Sequence, residues 1–359
     1  MKACIITFQS AYNYGAVLQA FALQEYLNEN FAETRILDYH NKEIDASYQN
    51  AHLIDFICNP KNAIFRSVQG VLYKEKKKKI DLFRKHYLKI TERYDSSNIT
   101  DAQNEADVFI TGSDQVWNYL IVNRDGAYYL NFVKDKRTCS YAASFGIASI
   151  PLEYQDFYKK NLNNIDYISV RETNGVEIVK SMTGRDAKVM PDPTLLLNQK
   201  IWNEMCVAPN QIGKYILVYK ITKADKLLSF SKELSKKTGL PIVYIPNDLK
   251  NGSIGKLKTN VGPEEWLGYI KNAEYVVTNS FHGTVFSILF NKKFFAEVSS
   301  KVNPSTSRLK SLLEMFDLGK RTIEKFTDEM LIEELDSEAI NNVLLLERNK
   351  AHDFFEGIF

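Results

Sequence analysis

Short apolar runs alternate with longer segments of helical periodicity along almost the whole chain, and this alternation limits the fold more than any other feature. Apolar runs bounded by turn residues are typical of buried strands, whereas apolar residues at helical spacing are typical of helices. Repeated strand–helix–strand units form parallel sheets covered by helices. The sequence therefore predicts an α/β protein. Its 359 residues exceed what one core usually fills, so we expect two domains.

Two sets of predicted strands support this division. Strands are predicted at residues 2–8, 34–39, 106–111, 138–142, 167–170 and 187–190, and then at 215–220, 241–246, 274–278 and 293–298. Asparagines, a proline and a glycine interrupt the pattern at 195–214. We therefore predict an N-terminal α/β domain at 1–205, with a helical insertion at about 42–100, and a C-terminal α/β domain at 206–359. Ligands of such folds bind where the carboxyl ends of strands face a cleft.

Composition indicates the cellular compartment of the protein and limits the classes of partner that it can bind. A formal net charge of +2 gives no basis for a nucleic-acid partner. Cys4, Cys58, Cys139 and Cys206 show no metal-ligand spacing and are interpreted as reduced thiols of a cytoplasmic protein without a metal site. Residues 1–8 indicate a first strand and not a signal peptide, and no apolar run approaches the ~18 residues of a membrane span. These features do not fix the oligomeric state.

A basic segment, KEKKKKIDLFRKHYLKITERY, occupies residues 74–94. Its lysines predict an exposed face that would suit a lipid phosphate or a polyanionic substrate, and hence a peripheral contact with the inner face of a membrane. The alternative is a solvated helix face near other acidic residues. Both interpretations place the lysines at the surface.

The segment EYVVTNSFHGTVFSILF, at residues 274–290, contains the strongest candidate site. It predicts a buried strand that ends near residue 278 and an apolar helix that starts at Gly283. His282 lies at the junction, where the first turn of a helix leaves N–H groups unpaired and carries a partial positive charge. Ser280, His282 and Gly283 are therefore predicted to hold an anion. The alternative is a polar turn whose histidine packs against its neighbours.

Two turns in the N-terminal half offer further polar groups. Asn13 and Gly15 precede a helix and either present polar groups to a substrate or form an ordinary helix entry; the absence of G-x-G-x-x-G there argues against a dinucleotide fold. In ITGSDQVWN, Ser113 and Asp114 follow a strand. Asp114 is a candidate general base for a sugar hydroxyl, and Trp117 is a candidate for stacking on a sugar. Alternatively, Ser113 or Asp114 caps a helix and Trp117 lies in the core.

Two arginines suit an anion. Arg171, in ISVRE, directly follows a strand, and its planar fork fits a carboxylate or a phosphate; the alternative is a surface pair with Glu172. Arg308 begins an apolar helix and would either reach the same anion as His282 or be an ordinary exposed arginine. Asp192, between two prolines in MPDPT, is interpreted mainly as part of a rigid turn.

Taken together, these motifs resemble the polysaccharide pyruvyltransferase family. The resemblance rests on NYGAVLQAFAL, GSDQVWN, SYAASFG, ISVRE, MPDPTLLL and NSFHG, in that order along nearly the whole chain. It implies a GT-B-like arrangement of two Rossmann-like domains that face a cleft. It also implies transfer of a pyruvyl group from phosphoenolpyruvate to two hydroxyls of a sugar, with formation of a cyclic ketal and release of phosphate.

The resemblance assigns roles to individual residues. Arg171 and His282 match an arginine and a histidine that bind phosphoenolpyruvate in the family, Arg308 stands where a lysine is common, and Ser280 stands where some members carry an arginine. No cofactor or metal is expected, because cationic side chains can stabilise the charge of the donor. The expected catalytic residues are His282 and Asp114, and the expected substrate-binding residues are Arg171, Arg308, Ser280, Gly283, Asn13, Gly15, Ser113 and Trp117.

The expected acceptor is a sugar of a polysaccharide or of a lipid-linked precursor. Two other functions remain open on the sequence alone, because a fold does not establish a function. One is a GT-B glycosyltransferase with a nucleotide-sugar donor, and the other is a non-catalytic sugar-binding or scaffold protein of polysaccharide assembly.

Overall fold

Two parallel sheets, one in each half of the chain, form the framework of the protein. The structure, a computed structural model, describes residues 1–41, 44, 67–210, 213–222, 225–247, 253–298 and 306–359. The strands are β1 (Lys2–Ile6), β2 (Glu33–Tyr39), β3 (Ile90–Tyr94), β4 (Val108–Thr111), β5 (Arg137–Ala143), β6 (Tyr167–Val170), β7 (Lys188–Val189), β8 (Ile216–Lys220), β9 (Ile242–Pro246), β10 (Lys256–Leu257), β11 (Tyr275–Thr278) and β12 (Lys293–Ala296). The first sheet has the order β3-β2-β1-β4-β5-β6-β7 and the second the order β10-β9-β8-β11-β12.

Helices connect the strands and pack against the sheets. They are α1 (Tyr14–Asn30), α2 (Lys74–Tyr87), α3 (Tyr119–Val122), α4 (Leu152–Leu162), α5 (Thr173–Thr183), α6 (Gln199–Met205), α7 (Asp225–Thr238), α8 (Pro263–Asn272), α9 (Phe281–Leu289), α10 (Thr306–Met315) and α11 (Ser337–Glu356). The first helix, α1, is apolar on most of its sides and is buried along nearly its whole length. It therefore lies between the two domains, where both cover it.

The predicted α/β fold with two sheets is confirmed, and every predicted strand is present. The sequence missed two edge strands, β3 and β10. In β3 the segment ITERY is mostly exposed, so it lacks the apolar run by which buried strands are recognised. Strand β3 lies inside the helical insertion predicted at 42–100, so the prediction of helix was wrong for these residues. Residues 42–43 and 45–66 of the same insertion lie outside the described part of the chain.

Each sheet has a point where the strand order reverses. In the first sheet it lies between β1 and β4, and in the second between β8 and β11. The loops that follow two such neighbouring strands run to opposite faces of the sheet, and this opens a crevice at the carboxyl ends of the strands. The turns after β4 and β11, which contain the predicted site residues Asp114 and His282, lie at these two crevices.

Aromatic side chains join the two domains in one continuous core. Tyr14 of α1 stacks on Trp266 of α8 with ring centroids 5.2 Å apart, and its hydroxyl donates to the carbonyl oxygen of Val261 at 2.9 Å. Trp202 of α6 meets Phe286 of α9 edge-on at 4.9 Å. The apolar contact across the boundary fixes the geometry of the cleft.

The C-terminal helix α11 returns to the first domain. The ring of Phe355 stacks on Tyr141 of β5 at 4.8 Å, and Arg348 donates from Nε to the carbonyl oxygen of Leu195 at 2.9 Å. The sequence analysis assigned residues 206–359 to the second domain and did not predict that α11 packs against the first domain. The boundary proposed at residue 205 falls at the end of α6.

Helix α2 also bridges the domains, because its buried face covers both. Nζ of Lys79 pairs with Glu265 of α8 at 2.6 Å. Lys76 is buried at this junction, with Nζ 4.5 Å from the ring centroid of Tyr14 and 3.4 Å from Oδ1 of Asn247. Burial lowers the pKa of Lys76 to about 7. No carboxylate of the described residues accompanies this ammonium group.

None of the described helices has the length and apolar composition needed to cross a bilayer. Cys4, Cys139 and Cys206 are free thiols, and Cys58 lies outside the described residues. Burial raises the pKa of the Cys206 thiol to about 11.

Candidate active site

Charged side chains converge where the carboxyl ends of the two sheets face each other. Asp114 comes from the turn after β4, Arg171 directly follows β6, and Asp192 follows β7. His282 comes from the second domain, in the first turn of α9 after β11. Parallel strands end at the same edge of a sheet, which is why residues far apart in the sequence meet here. The structure thus brings together the predicted Arg171, Asp114 and His282.

Asp192 links the two domains within this site. Its buried Oδ2 accepts a hydrogen bond from Nη1 of Arg171 at 2.7 Å and lies 3.3 Å from Nε2 of His282. Its Oδ1 accepts from Oγ1 of Thr194 at 2.7 Å. Burial alone would raise the pKa of this carboxyl, but His282, Arg171 and Thr194 outweigh burial and hold the pKa well below its usual range. Asp192 is therefore a buried anion and more than part of a rigid turn.

Arg171 is held on several sides. Besides Asp192, its Nη1 lies 3.3 Å from Oγ of Ser113, and its Nη2 lies 3.5 Å from Oδ1 of Asp114. Burial lowers the pKa of the guanidinium, but Asp192 and Asp114 more than compensate, so the pKa is raised. The surface pair with Glu172 that the sequence left open is not formed, because the Arg171 side chain is only 1% exposed and faces the cleft.

Arg308, on α10, is buried beside the same carboxylate. Its Nη1 lies 3.9 Å from Oδ1 of Asp114, a longer contact than those of Arg171. Burial and the neighbouring charge of Arg171 lower the pKa of Arg308 to about 10, so it is still cationic at neutral pH. The alternative interpretation of Arg308 as an ordinary exposed arginine is therefore wrong.

Phe281 supports both guanidinium groups. Its ring centroid lies 4.5 Å from the guanidinium carbon of Arg171 and 5.9 Å from that of Arg308. An aromatic face attracts cations, so Phe281 adds to the attraction that the shared carboxylate of Asp114 exerts on both guanidinium groups. The sequence did not single out Phe281, because an aromatic residue beside an apolar helix is indistinguishable from core by pattern.

His282 lies against the N-terminal turn of α1. A Cβ at Gly15 would overlap the imidazole, lying 2.8 Å from Cε1 and closer still to Nδ1. Only glycine at position 15 allows this approach between the two domains. The predicted substrate-binding role of Gly15 is thus accompanied by a packing role against a predicted catalytic residue.

Ser280 and Gly283 build the turn that presents His282. Oγ of Ser280 accepts from the backbone N–H of Gly283 at 3.1 Å, which caps the amino end of α9. A Cβ at Gly283 would lie 2.7 Å from Oγ1 of Thr278. The hydroxyl of Ser280 is therefore used inside the turn.

Asn13 and Trp117 have the structural roles that the sequence offered as alternatives. Oδ1 of Asn13 accepts from the backbone N–H of Gly15 at 2.9 Å and caps α1. Trp117 is fully buried, stacks on Tyr129 at 5.6 Å and donates from Nε1 to the carbonyl oxygen of Tyr128 at 3.1 Å. A side chain without exposed surface cannot stack on a sugar, so the sugar-binding role predicted for Trp117 is replaced by a core role.

Asp114 is more accessible than the other acid of the site. Its side chain is 15% exposed, whereas that of Asp192 is fully buried. Its φ of 72° lies in the left-handed region, which aspartate tolerates better than most residues. Oγ of Ser113 lies beneath it, within 3.3 Å of both Asp192 and Arg171. Ser113 therefore connects charged groups and does not cap a helix.

Glu172 organises the loop next to Asp114. Its buried Oε1 accepts from the backbone N–H groups of Phe145 and Gly146 at 2.9 and 3.1 Å. The N–H of Ser144, in the same loop, donates to the carbonyl oxygen of Asp114 at 2.9 Å. The motifs SYAASFG and ISVRE thus meet in three dimensions, which their separation in the sequence does not reveal.

Within the described part of the chain, three buried nitrogens of this cluster form no hydrogen bond: Nε of Arg171, Nε of Arg308 and Nε2 of His282, which has only the ion-pair contact with Asp192. Buried polar groups are rarely left unpaired unless a ligand or water completes them. Arg171 belongs to the first domain, and His282 and Arg308 belong to the second. Two guanidinium groups and an imidazole suit an anion that carries several oxygens. The arrangement forms a candidate anion-binding site in the interdomain cleft.

Fold and site together define a two-domain α/β protein with a cluster of cationic side chains in its cleft. The family model of polysaccharide pyruvyl transferases matches residues 13–299, which include all of this site except Arg308. The chain belongs to the polysaccharide pyruvyl transferase family, and it is therefore a transferase of polysaccharide biosynthesis. The family resemblance expected from the sequence motifs is confirmed.

The chain is also similar to several solved structures. The UDP-GlcNAc 2-epimerase of Neisseria meningitidis bound to UDP-GlcNAc is 8% identical, with 96% of this chain and 98% of that chain covered and a TM-score of 0.49. The UDP-GlcNAc 2-epimerase of Methanocaldococcus jannaschii is 11% identical, with 96% and 99% covered and a TM-score of 0.48. E. coli ADP-heptose LPS heptosyltransferase II is 11% identical, with 97% and 99% covered and a TM-score of 0.39. No curated protein sequence matches the chain.

Proposed function

We propose that this protein transfers a pyruvyl group from phosphoenolpyruvate to two hydroxyls of a sugar, in a polysaccharide or a lipid-linked precursor, forming a cyclic ketal and releasing phosphate. One observation carries the proposal: Arg171, Arg308 and His282 converge in the interdomain cleft, and each has a buried nitrogen that forms no hydrogen bond with the described residues. Phosphoenolpyruvate has a phosphate and a carboxylate close together. Two planar guanidinium groups and an imidazole can serve both at once.

The two arginines are suited to different parts of this task. Arg171 is fixed by Asp192 at 2.7 Å and lies on the ring of Phe281, so it offers a rigid reference for one anionic group. Among the described acidic residues, Arg308 contacts Asp114 alone, at 3.9 Å, so its guanidinium can turn to the second group at small cost. The first-turn amides of α9 add partial positive charge.

The chemistry begins with proton transfer to the methylene carbon of phosphoenolpyruvate, which leaves cationic character on the carbon that bears the phosphate. The first sugar hydroxyl attacks that carbon and loses its proton, and the bond to phosphate breaks. The second hydroxyl then attacks the same carbon and closes the ketal. The two hydroxyl protons balance the one gained by carbon and the one gained by phosphate.

His282 and Asp114 are the proposed catalytic groups. His282, buried beside Asp192 at 3.3 Å, would either protonate the methylene carbon or neutralise the departing phosphate. Asp114 faces the cleft from the first domain and would accept the proton of the attacking hydroxyl. The first domain is thus the acceptor side. Phosphoenolpyruvate is a cytoplasmic metabolite, so we place the reaction in the cytoplasm, with no metal or cofactor.

Thermal unfolding with and without ligands tests the proposal. Phosphoenolpyruvate at about a hundred times its dissociation constant should stabilise the protein by about 2.7 kcal/mol. His282→Ala should abolish this stabilisation, and Arg308→Met should reduce it to about half or less. His352→Ala, which changes a partly exposed histidine on α11, should leave it unchanged.

The two other functions predict different results. Stabilisation by UDP-sugars but not by phosphoenolpyruvate would identify a glycosyltransferase with a nucleotide-sugar donor. A protein that responds to neither ligand would fit a scaffold in polysaccharide assembly. Retention of phosphoenolpyruvate binding in both site variants would overturn the assignment of the site.

A further inference from the structure

Helix α2 and the helical residues 67–72 before it expose apolar side chains to solvent. Val71 is 76% exposed, Leu72 is 38% exposed and Leu82 is 55% exposed, and Val68 nearby is 52% exposed. Single exposed apolar residues are ordinary on a protein surface, but a group of them on one helix face marks an interaction surface.

Lysines lie on the same face. Lys74, Lys78 and Lys85 are exposed, and none forms an ion pair in the described part of the protein. Residues 71, 74, 78, 82 and 85 follow one another at spacings of three or four, so they form one stripe along the helix. We call Val71, Lys74, Lys78, Leu82 and Lys85 the α2 stripe; the exposed Glu75 lies among them, and Leu72 lies beside them.

The opposite face of α2 fixes the orientation of the stripe. Ile80 and Phe83 are buried, and the ring of Phe83 meets Phe21 of α1 edge-on at 6.1 Å. Nη2 of Arg84 donates to the carbonyl oxygen of Ala11 at 2.9 Å, in the loop that leads into α1 and Gly15. The stripe therefore lies on the solvent side of α2, and α2 itself packs beside the loop that leads to Gly15 and the cleft.

We propose that the α2 stripe docks the protein on an anionic lipid bilayer. The apolar side chains would enter the interfacial layer, and the unpaired ammonium groups would meet lipid phosphates. Charge complementarity selects this partner, because the three lysines outnumber the exposed Glu75 and, beside exposed valine and leucine, match a surface that is both anionic and apolar. Docking would bring the cleft to a lipid-linked acceptor, so this inference extends the proposed function without depending on it.

Co-sedimentation of the full chain with vesicles tests the proposal. We expect binding to vesicles of phosphatidylcholine with phosphatidylglycerol, little binding to phosphatidylcholine alone, and a decrease as salt shortens the range of the charges. Because each lysine near an anionic surface contributes about fivefold in affinity, Lys78→Glu with Lys85→Glu should weaken binding at least about 25-fold. Val71→Ser with Leu82→Ser should weaken it about tenfold or more, through the apolar contribution.

Matched controls use exposed residues elsewhere. Leu345→Ser with Leu346→Ser changes two leucines of α11 that are 58% and 67% exposed, and Lys159→Glu with Lys160→Glu reverses two exposed charges of α4. Neither pair should change vesicle binding.

Several results would overturn the proposal: equal binding to neutral vesicles, equal losses in the controls, or no effect of Val71→Ser with Leu82→Ser. A dimer in sedimentation velocity that Leu82→Ser abolishes would identify a second copy of the chain as the occupant instead. Stabilisation by phosphoenolpyruvate, measured on the same variants, should be unchanged. Failure of docking and failure of the proposed reaction are thereby distinguished.

Discussion

Gly15 of α1 and His282 of α9 are in direct contact across the domain boundary, and their packing leaves no room for a Cβ at position 15. The two residues are in different domains and in motifs at opposite ends of the chain, NYG and SFHG. Each motif therefore limits the other: the glycine is required by the imidazole, and the position of the imidazole depends on how the domains close. This contact provides the most direct test of the site.

Gly15→Ala should displace the His282 ring or open the cleft. We expect at least about 100-fold loss of transferase activity, because misplacement of a catalytic group by about 1 Å costs that much. Activity and phosphoenolpyruvate affinity are the measurements. The control is Gly319→Ala, at a position where a Cβ would meet no atom within 4 Å. Full activity of Gly15→Ala would show that His282 tolerates displacement and is not catalytic.

Asp192→Asn should destabilise the protein by about 3 kcal/mol, because it leaves Arg171 buried without its closest anion. The side chain keeps its size, so the effect reports charge and not packing. Chemical unfolding of the two proteins at neutral pH measures it. An unchanged free energy of unfolding would mean that Ser113 and Asp114 suffice to hold Arg171.

The same variant tests a pH dependence. The pKa of Asp192 is depressed in the folded state, so as pH falls the unfolded carboxylate is protonated first, near its ordinary pKa of about 4. The stability contributed by Asp192 is therefore complete at neutral pH and is lost progressively below about pH 4. Unfolding curves of the wild type and Asp192→Asn should converge as the medium becomes more acidic. Parallel curves would contradict the assignment of an ionised Asp192.

Arg308→Met should weaken phosphoenolpyruvate binding about 10- to 100-fold, the usual effect of losing a charge-assisted hydrogen bond. The stability of the variant should change little, since the 3.9 Å contact with Asp114 is the ion pair of Arg308 among the described residues, and methionine keeps the apolar contact with Phe281. Because the pKa of Arg308 is lowered to about 10, the wild type should lose part of its affinity above that pH. The variant should lack this decline in a titration by calorimetry. A decline of equal size in both proteins would assign it to another group.

Lys76→Met should stabilise the protein at neutral pH by about 1–3 kcal/mol, because burial disfavours a charged ammonium. The pKa of Lys76 is lowered to about 7, so between there and its ordinary value of about 10.4 the unfolded chain binds more protons than the folded one. Stability of the wild type should therefore rise with pH through that window and approach that of the variant. Lys78→Met, at an exposed position of the same helix, serves as the control.

Trp117→Phe should lower the free energy of unfolding by about 1–3 kcal/mol, through lost volume and the lost hydrogen bond to Tyr128. The KM for a sugar acceptor should be unchanged, since Trp117 is fully buried. A higher KM at unchanged stability would restore the sugar-stacking role.

Much of the fold could be predicted from sequence because its signals are local. Strands such as β6 and β11 are apolar runs between turn residues, and helix α9, expected from Gly283, begins two residues earlier, so these elements were predicted near their true limits. The exposed edge strand β3 has neither signal and was missed. Arg171 and His282 could be singled out as candidate site residues because each follows the end of a strand.

The sequence by itself determined that this chain forms two parallel α/β units and that charged residues follow their strands, because a repeating pattern of burial is written into neighbouring residues. Only the tertiary structure decided which of those residues meet. It brought Asp192, Phe281 and Glu172 into the site, placed Trp117 in the core and set Gly15 against His282. The physical reason is that these contacts depend on strand order and on how the domains close, and both are set by packing between segments far apart in the chain.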